Sequence, residues 1–213
     1  MQIDGPFVSG PLIHFMVKDG IPFVAVPLLI AVALVLFGYW PVSAVFFALA
    51  AFMAFFFRNP AREIPTEPGL IVSAADGKVT RVEETGDGKL VSVFLSPLDV
   101  HVNRAPIAGT VTDVRMFKGK KAPATSDESS KTNERNAVTF EGEDVTVVAT
   151  QIVGILARRI VCWPKIGDSL ERGELYGLIR FGSRTDLLMP KHVSISVKPG
   201  DRVRGGETII ARY

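Results

Sequence analysis

KIGDSLERGEL, residues 165–175, returns as KPGDRVRGGET at residues 198–208. Lys165 and Lys198, Gly167 and Gly200, Asp168 and Asp201, Gly173 and Gly206, and Glu174 and Glu207 match at one constant offset. A second pair lies upstream, where AADGKVTRV (74–82) and PIAGTVTDV (106–114) share the core Gly-x-Val-Thr-x-Val. Glycines at such positions supply turns, and valines spaced by two supply half-buried strands. The chain beyond residue 70 therefore reads as a duplicated set of β-hairpins.

Pro-x-x-Gly-x-Val followed later by Gly-Asp-x-Val-x-x-Gly-Glu resembles the barrel-sandwich hybrid of biotinyl and lipoyl domains. The expected fold class is mainly β: a duplicated β-hairpin, barrel-sandwich-hybrid-like domain preceded by an N-terminal hydrophobic helical hairpin. Fold alone does not give function. A biotinyl or lipoyl carrier needs a lysine at a hairpin tip in a Met-Lys-Met or Asp-Lys-Ala setting, and neither tripeptide occurs. A membrane-tethered adaptor on the same fold would carry a long heptad-bearing hairpin, and residues 115–163 show no such repeat. These two remain the alternatives to an enzyme.

The hairpin is read from residues 21–57, which contain no charged side chain. At about 1.5 Å per residue, Ile21 to Tyr39 can cross a hydrocarbon core of about 30 Å, whereas Val42 to Phe57 falls slightly short. Gly38, Tyr39, Trp40 and Pro41 break the run with turn-forming and interfacial residues. Lys18 precedes the hairpin, and Arg58 and Arg62 follow it, so the positive-inside rule places both ends on the cytoplasmic side of the cell membrane. A cleaved signal peptide fits poorly, because the apolar stretch is too long, starts late and lacks a basic leader. The expected domains are 1–57, a membrane-associated hairpin that is either peripheral or anchored, and 58–213.

The formal net charge is only +2, with no clustered basic face, so nucleic acid is not an expected partner. The single cysteine, Cys162, forbids an internal disulfide and reads as a buried thiol. KGKKAPATSDESSKTNERN (118–136) lacks an apolar period and reads as a polar loop. Only three histidines exist: His14, beside the hairpin; His101, in a run with Asp99, Asn103 and Arg104; and His192, which alternates with apolar residues as a strand position would. No Cys/His metal spacing, P-loop or GxSxG elbow is present, so no metal is expected.

That leaves LIRFGSRTDLLMP (178–190), where Gly182-Ser183 interrupts two strand-like runs. Alone it reads as a turn or bulge. Together, however, SAADGKV (73–79), LSPLDVHVNRAPIAG (95–109), TNERN (132–136), QIVGILARRIV (151–161) and RFGSRTDLLMP (180–190) resemble the short, bacterial and archaeal type of phosphatidylserine decarboxylase. The resemblance covers residues 58–213. It implies that the chain cuts itself between Gly182 and Ser183 into 1–182 and 183–213, a heterodimer that can oligomerise further. Ser183 becomes a covalent pyruvoyl group, the only cofactor implied, which forms a Schiff base with phosphatidylserine and, as a carboxy-lyase, releases phosphatidylethanolamine. The expected partners are phosphatidylserine and the membrane. In the long family type a second histidine stands where this chain has Arg104, so an intact Asp-His-Ser triad does not carry over. The expectation is that His101 serves processing, decarboxylation or both, that Asp76 holds its tautomer, and that Arg104, Arg158 and Arg159 meet the substrate's negative charge.

Overall fold

Charge-free apolar sequence becomes helix first, since a helix satisfies its own backbone groups. The computed structural model describes residues 15–120, 122, 132–155, 159–180 and 183–213. After a single 3-10 turn at Lys18–Gly20, α1 spans Ile21–Leu36 and α2 spans Trp40–Phe56, each with a proline in its first turn, where the missing N–H costs nothing. Lys18–Leu36 is, by length and composition, long and apolar enough to cross a membrane, and α2 is shorter. The two helices pack closely: Ser43 Oγ donates to the Ala31 carbonyl at 2.9 Å, and Phe23 stacks on Phe57. Outward-facing Leu29, Leu36, Phe37, Trp40 and Val45 are all more than half exposed, an apolar surface suited to lipid rather than water. This compact unit extends to Ala61, and a second runs from Arg62 to Tyr213.

In the second unit the described residues form fourteen strands. They are β1 (Leu70–Val72), β2 (Gly77–Thr85), β3 (Gly88–Leu95), β4 (Val102–Arg104), β5 (Gly109–Phe117), β6 (Arg135–Glu141) and β7 (Thr146–Val153). There follow β8 (Arg159–Cys162), β9 (Ser169–Leu170), β10 (Leu175–Arg180), β11 (Ser183–Met189), β12 (Ser194–Ile195), β13 (Arg202–Val203) and β14 (Ile209–Arg212). A curved eight-stranded sheet has the order β13-β2-β3-β11-β7-β6-β5-β9, and two three-stranded sheets have the orders β4-β10-β8 and β1-β14-β12. Val79, Val91, Val93 and Leu95 meet Val138, Phe140, Val147, Ala149, Leu187 and Tyr176 in one fully buried core.

The repeat seen in the sequence is a repeat of structure. β13 pairs with β2 as β9 pairs with β5, and the two long strands each carry a register irregularity at the same place, between Val79 and Arg81 and between Val111 and Asp113. Each loop is closed alike: Asp168 Oδ2 accepts the Lys165 N–H at 2.8 Å, and Asp201 Oδ2 accepts the Lys198 N–H at 2.9 Å. The intervening Gly167 and Gly200 have φ of 96° and 102°, which explains why both copies keep glycine.

Two sequence expectations change. Of the stretch 118–136, expected as a polar loop, residues 121 and 123–131 lie outside the described residues, and its last two residues already belong to β6, which starts at Arg135, where alternation between buried and half-buried positions begins. His192 lies exposed in the turn before β12 and not in a strand, because Pro190 ends β11 at Met189.

Candidate active site

Ser183 opens β11, a strand paired along its whole length with β3 on one side and from Ser183 to Leu188 with β7 on the other, where its cross-strand partners are Leu95 and Val153. It is fully buried, and its Oγ has no hydrogen-bond partner among the described residues. A buried hydroxyl left unpaired costs about 1–3 kcal/mol, so such a group calls for an explanation. Gly182 lies outside the described residues, as do Arg158 and His14.

His101 immediately precedes β4 and is buried. Its Nδ1 lies 2.9 Å from the carbonyl oxygen of Asp99. A carbonyl can only accept, so Nδ1 carries the proton, and in the neutral ring Nε2 carries the lone pair. That is the tautomer a general base requires. Asp99 itself is held firmly: its carboxylate accepts the Ser96 N–H and an Arg202 guanidinium N–H, each at 2.8 Å. The Ile179 N–H donates to the His101 carbonyl at 3.2 Å, which ties the histidine to the end of β10.

Asp76 and Arg104 have contacts that the sequence did not suggest. Arg62 Nη2 reaches both Asp76 oxygens at 2.9 and 2.7 Å, and the Gly205 N–H donates to one of them at 2.8 Å. The Asp76 carboxylate is thus directed at Arg62 and Gly205, while the orienting contact on His101 comes from a main-chain carbonyl. Arg104 Nη1 donates to the Gly173 carbonyl at 2.9 Å. Burial pushes Arg104 down to about 10, reinforced by nearby Arg62 and opposed by Asp76 and Glu207. Arg62, Asp76, Arg104 and Glu207 are therefore electrostatic neighbours, with Arg104 only 9% exposed. By register Arg104 lies opposite Leu175, at the start of β10, while His101 lies near its end. Arg159 is exposed and pairs with Arg180 across β8 and β10.

On the other face of β11, Arg184 and Asp186 form a buried ion pair at 2.8 Å. Burial raises the Asp186 carboxyl above its ordinary range, against the lowering effect of Arg184. Cys162 is only partly buried, less than expected, and its thiol is raised by burial and lowered by Asn136. The sequence reading missed Asp99 as the histidine's anchor, although the Ser-Pro-x-Asp turn that fixes it was visible. It also missed the hydrogen bonds that join Asn103, Gln151, Asn136 and Thr185 in the interior.

Comparison with known proteins bears on the family of the chain. A family profile described as phosphatidylserine decarboxylase matches residues 49–211. A phosphatidylserine decarboxylase proenzyme of Symbiobacterium thermophilum is 47% identical over 205 residues, covering 92% of this chain and 94% of the relative. Proenzymes of the same name from Solibacter usitatus (46% over 198 residues, 92% and 96% covered) and Geotalea uraniireducens (41% over 199 residues, 90% and 93% covered) are similar along nearly their whole length.

Proposed function

The chain belongs to the phosphatidylserine decarboxylase family, and on that premise we propose that it is a proenzyme that cuts itself between Gly182 and Ser183 and then converts phosphatidylserine to phosphatidylethanolamine at the membrane. The observation that carries the assignment of the cut is the buried Ser183 hydroxyl at the head of a central strand, without a hydrogen-bond partner among the described residues. Its Oγ attacks the Gly182 carbonyl carbon, and the peptide becomes an ester as the Ser183 nitrogen leaves as an amine. Loss of the Cα proton with departure of the carboxylate breaks the Cβ–Oγ bond, which leaves Gly182 as the C-terminus of the large chain. The resulting enamine takes up water and releases ammonia, so residue 183 ends as a ketone without an amine.

An orphaned hydroxyl on a rigid strand fits a group built from that very residue. The pyruvoyl group supplies a ketone for the substrate amine and an electron sink for the pair released with carbon dioxide. The rest falls to ordinary side chains. His101, with Nδ1–H fixed on the Asp99 carbonyl, accepts the Ser183 hydroxyl proton at Nε2. Asp76 serves by holding Arg62 and the Gly205 amide, and Arg104 by completing that cluster. Arg159, exposed and cationic, is available to the phosphate or carboxylate of the lipid head group, together with Arg158. Residues 58–213 carry the chemistry, and residues 1–57 keep it at the bilayer surface, where a tethered domain meets its substrate at high effective concentration.

The test is an intact-mass spectrum of the purified protein. Two chains, 1–182 and 183–213, the second lacking a free N-terminal amine, are expected. A single species of 213 residues that does not decarboxylate phosphatidylserine vesicles would overturn the reading.

A further inference from the structure

Four buried polar side chains line up inside the second unit. Asn136 Nδ2 donates to Gln151 Oε1 at 3.2 Å, Gln151 Nε2 donates to Asn103 Oδ1 at 2.9 Å, and Asn103 Nδ2 donates to Thr185 Oγ1 at 3.1 Å. All four residues are at most 1% exposed. They come from four different strands, β6, β7, β4 and β11, so the chain of bonds crosses from the large sheet to the small one. Buried carboxamides are costly unless satisfied, and a connected row of them fixes geometry more tightly than apolar packing does; here only Asn136 Oδ1, at the outer end, lacks a partner among the described residues.

Gly177 makes room for this row. A Cβ there would stand 2.9 Å from Gln151 Nε2 and 2.3 Å from the Val161 carbonyl oxygen, so a side chain would displace the carboxamide from the β10 backbone. Asn103 is also the register partner of Gly177, while Gln151 is the register partner of Thr185. Gly177 and Thr185 therefore flank the same two carboxamides although eight residues separate them in sequence, a distance that would be about 26 Å in extended chain. β10 and β11 accordingly approach each other at this row. β4 is antiparallel to β10 with Val102 opposite Leu178, so the start of β4 stands at the end of β10 that precedes β11 in the chain.

That placement decides what the Asn103–Thr185 bond does. His101 lies two residues before Asn103, and Ser183 lies two residues before Thr185, so both stand at the same end of their segments, one pleat repeat beyond the bond. The His101 carbonyl accepts from Ile179 near that same end of β10. We propose that Asn103 and Thr185, braced by Gln151 and Asn136, are positioning residues that set the approach of His101 to Ser183 for self-cleavage. This rests on the roles given above to Ser183 and His101. The bond joins β4 to β11 through side chains, and it lies at the shortest sequence distance from both reacting groups at which side chains share their face.

The experiment follows the appearance of 183–213 from full-length chain made by cell-free translation onto vesicles of phosphatidylserine and neutral lipid. Thr185→Val keeps the shape and removes the hydroxyl, and Asn103→Leu removes all three hydrogen bonds of the carboxamide, to Thr185, Gln151 and the Ala74 carbonyl. Each is expected to slow cleavage about tenfold to a hundredfold, as a displacement of reacting groups by about 1 Å does. Thr185→Ser, which retains the hydroxyl, restores most of the rate. In a His101→Ala background Thr185→Val has no further effect, because the positioning acts through the histidine; a merely structural defect would slow both backgrounds equally. Cleavage of Thr185→Val at the normal rate, or an equal slowing with and without His101, overturns the proposal. Normal cleavage of His101→Ala overturns instead the role of the histidine on which it depends. Should Asn103→Leu not fold, Thr185→Val still decides the matter.

Discussion

Replacing Asp76 by asparagine removes one negative charge from a cluster in which two guanidinium groups are already close. Arg62 and Asp76 have side chains only 6% and 15% exposed, and Arg104 is 9% exposed, so solvent screens the change little. Asparagine still offers an oxygen to the Gly205 N–H, but its amide faces Arg62 Nη2, which now sits at 2.7–2.9 Å from both carboxylate oxygens. Glu207, 3.6 Å from Arg62 Nη1, is then the remaining carboxylate of the four. Breaking one side of a buried pair costs about 3–5 kcal/mol, and the partial exposure of Asp76 favours the lower end, about 3 kcal/mol. For a chain of this length that lowers the unfolding midpoint by about 6–12 °C. The assay is thermal unfolding in detergent, followed by circular dichroism, with both proteins carrying Ser183→Ala so that neither is cut. Arg62→Met combined with Asp76→Leu should be less harmful than Asp76→Asn alone, because it leaves no lone charge of that pair. A shift below about 2 °C for Asp76→Asn would show that the cluster contributes little and would refute the reasoning. A carboxylate that acted by orienting His101 would behave differently, slowing cleavage at an unchanged midpoint.

Ser183→Ala lacks both the attacking oxygen and the source of the ketone, so mass spectrometry should find one whole chain and radiometric assay no decarboxylation; Ser183→Cys should still cut, more slowly, through a thioester. Removal of residues 1–57 should leave self-cleavage nearly intact in gel assays while turnover on vesicles falls steeply, and a truncated chain that neither folds nor cuts would place the hairpin within the catalytic core. Arg184→Met or Asp186→Leu alone should cost about 3–5 kcal/mol in chemical denaturation, whereas the double variant should be close to neutral, because only the single changes strand a buried charge.

The parts of this protein that were legible in its sequence are those that leave a period or a repeat. The matched Gly-Asp loops at 165–175 and 198–208 announced paired hairpins because the same local bonds close both, Asp168 on Lys165 and Asp201 on Lys198. The helical hairpin was readable from an absence of charge. Contacts between distant segments left no such trace. Asp99 holds His101 with its backbone, which any residue could supply, so side-chain identity pointed to Asp76 instead. Arg104 looked like a free cation for the substrate, yet its partners arrive from residues 76, 173 and 207, which no local window contains. Asn103, Gln151 and Asn136 are ordinary strand-edge polar residues in one dimension and become a connected row only when three strands and a second sheet converge.

The sheet topology has a consequence for how the molecule can be made again once it has been cut. Residues 183–213 contribute β11 to the interior of the large sheet, β13 to its edge and β14 to the middle of another sheet. Before cleavage, all these pairings form within a single polymer, and their formation is independent of protein concentration. Afterwards the same native contacts join two separate chains, and recovery from full denaturation becomes a bimolecular event whose yield rises with concentration. A short peptide rich in apolar strand sequence must then find its slot between β3 and β7 and its places beside β1 and β2 before it associates with itself. The precursor thus has a reversible route to this architecture that its product has lost, and heat-treated enzyme should regain activity poorly in dilute solution even where the uncut Ser183→Ala chain regains its fold in full.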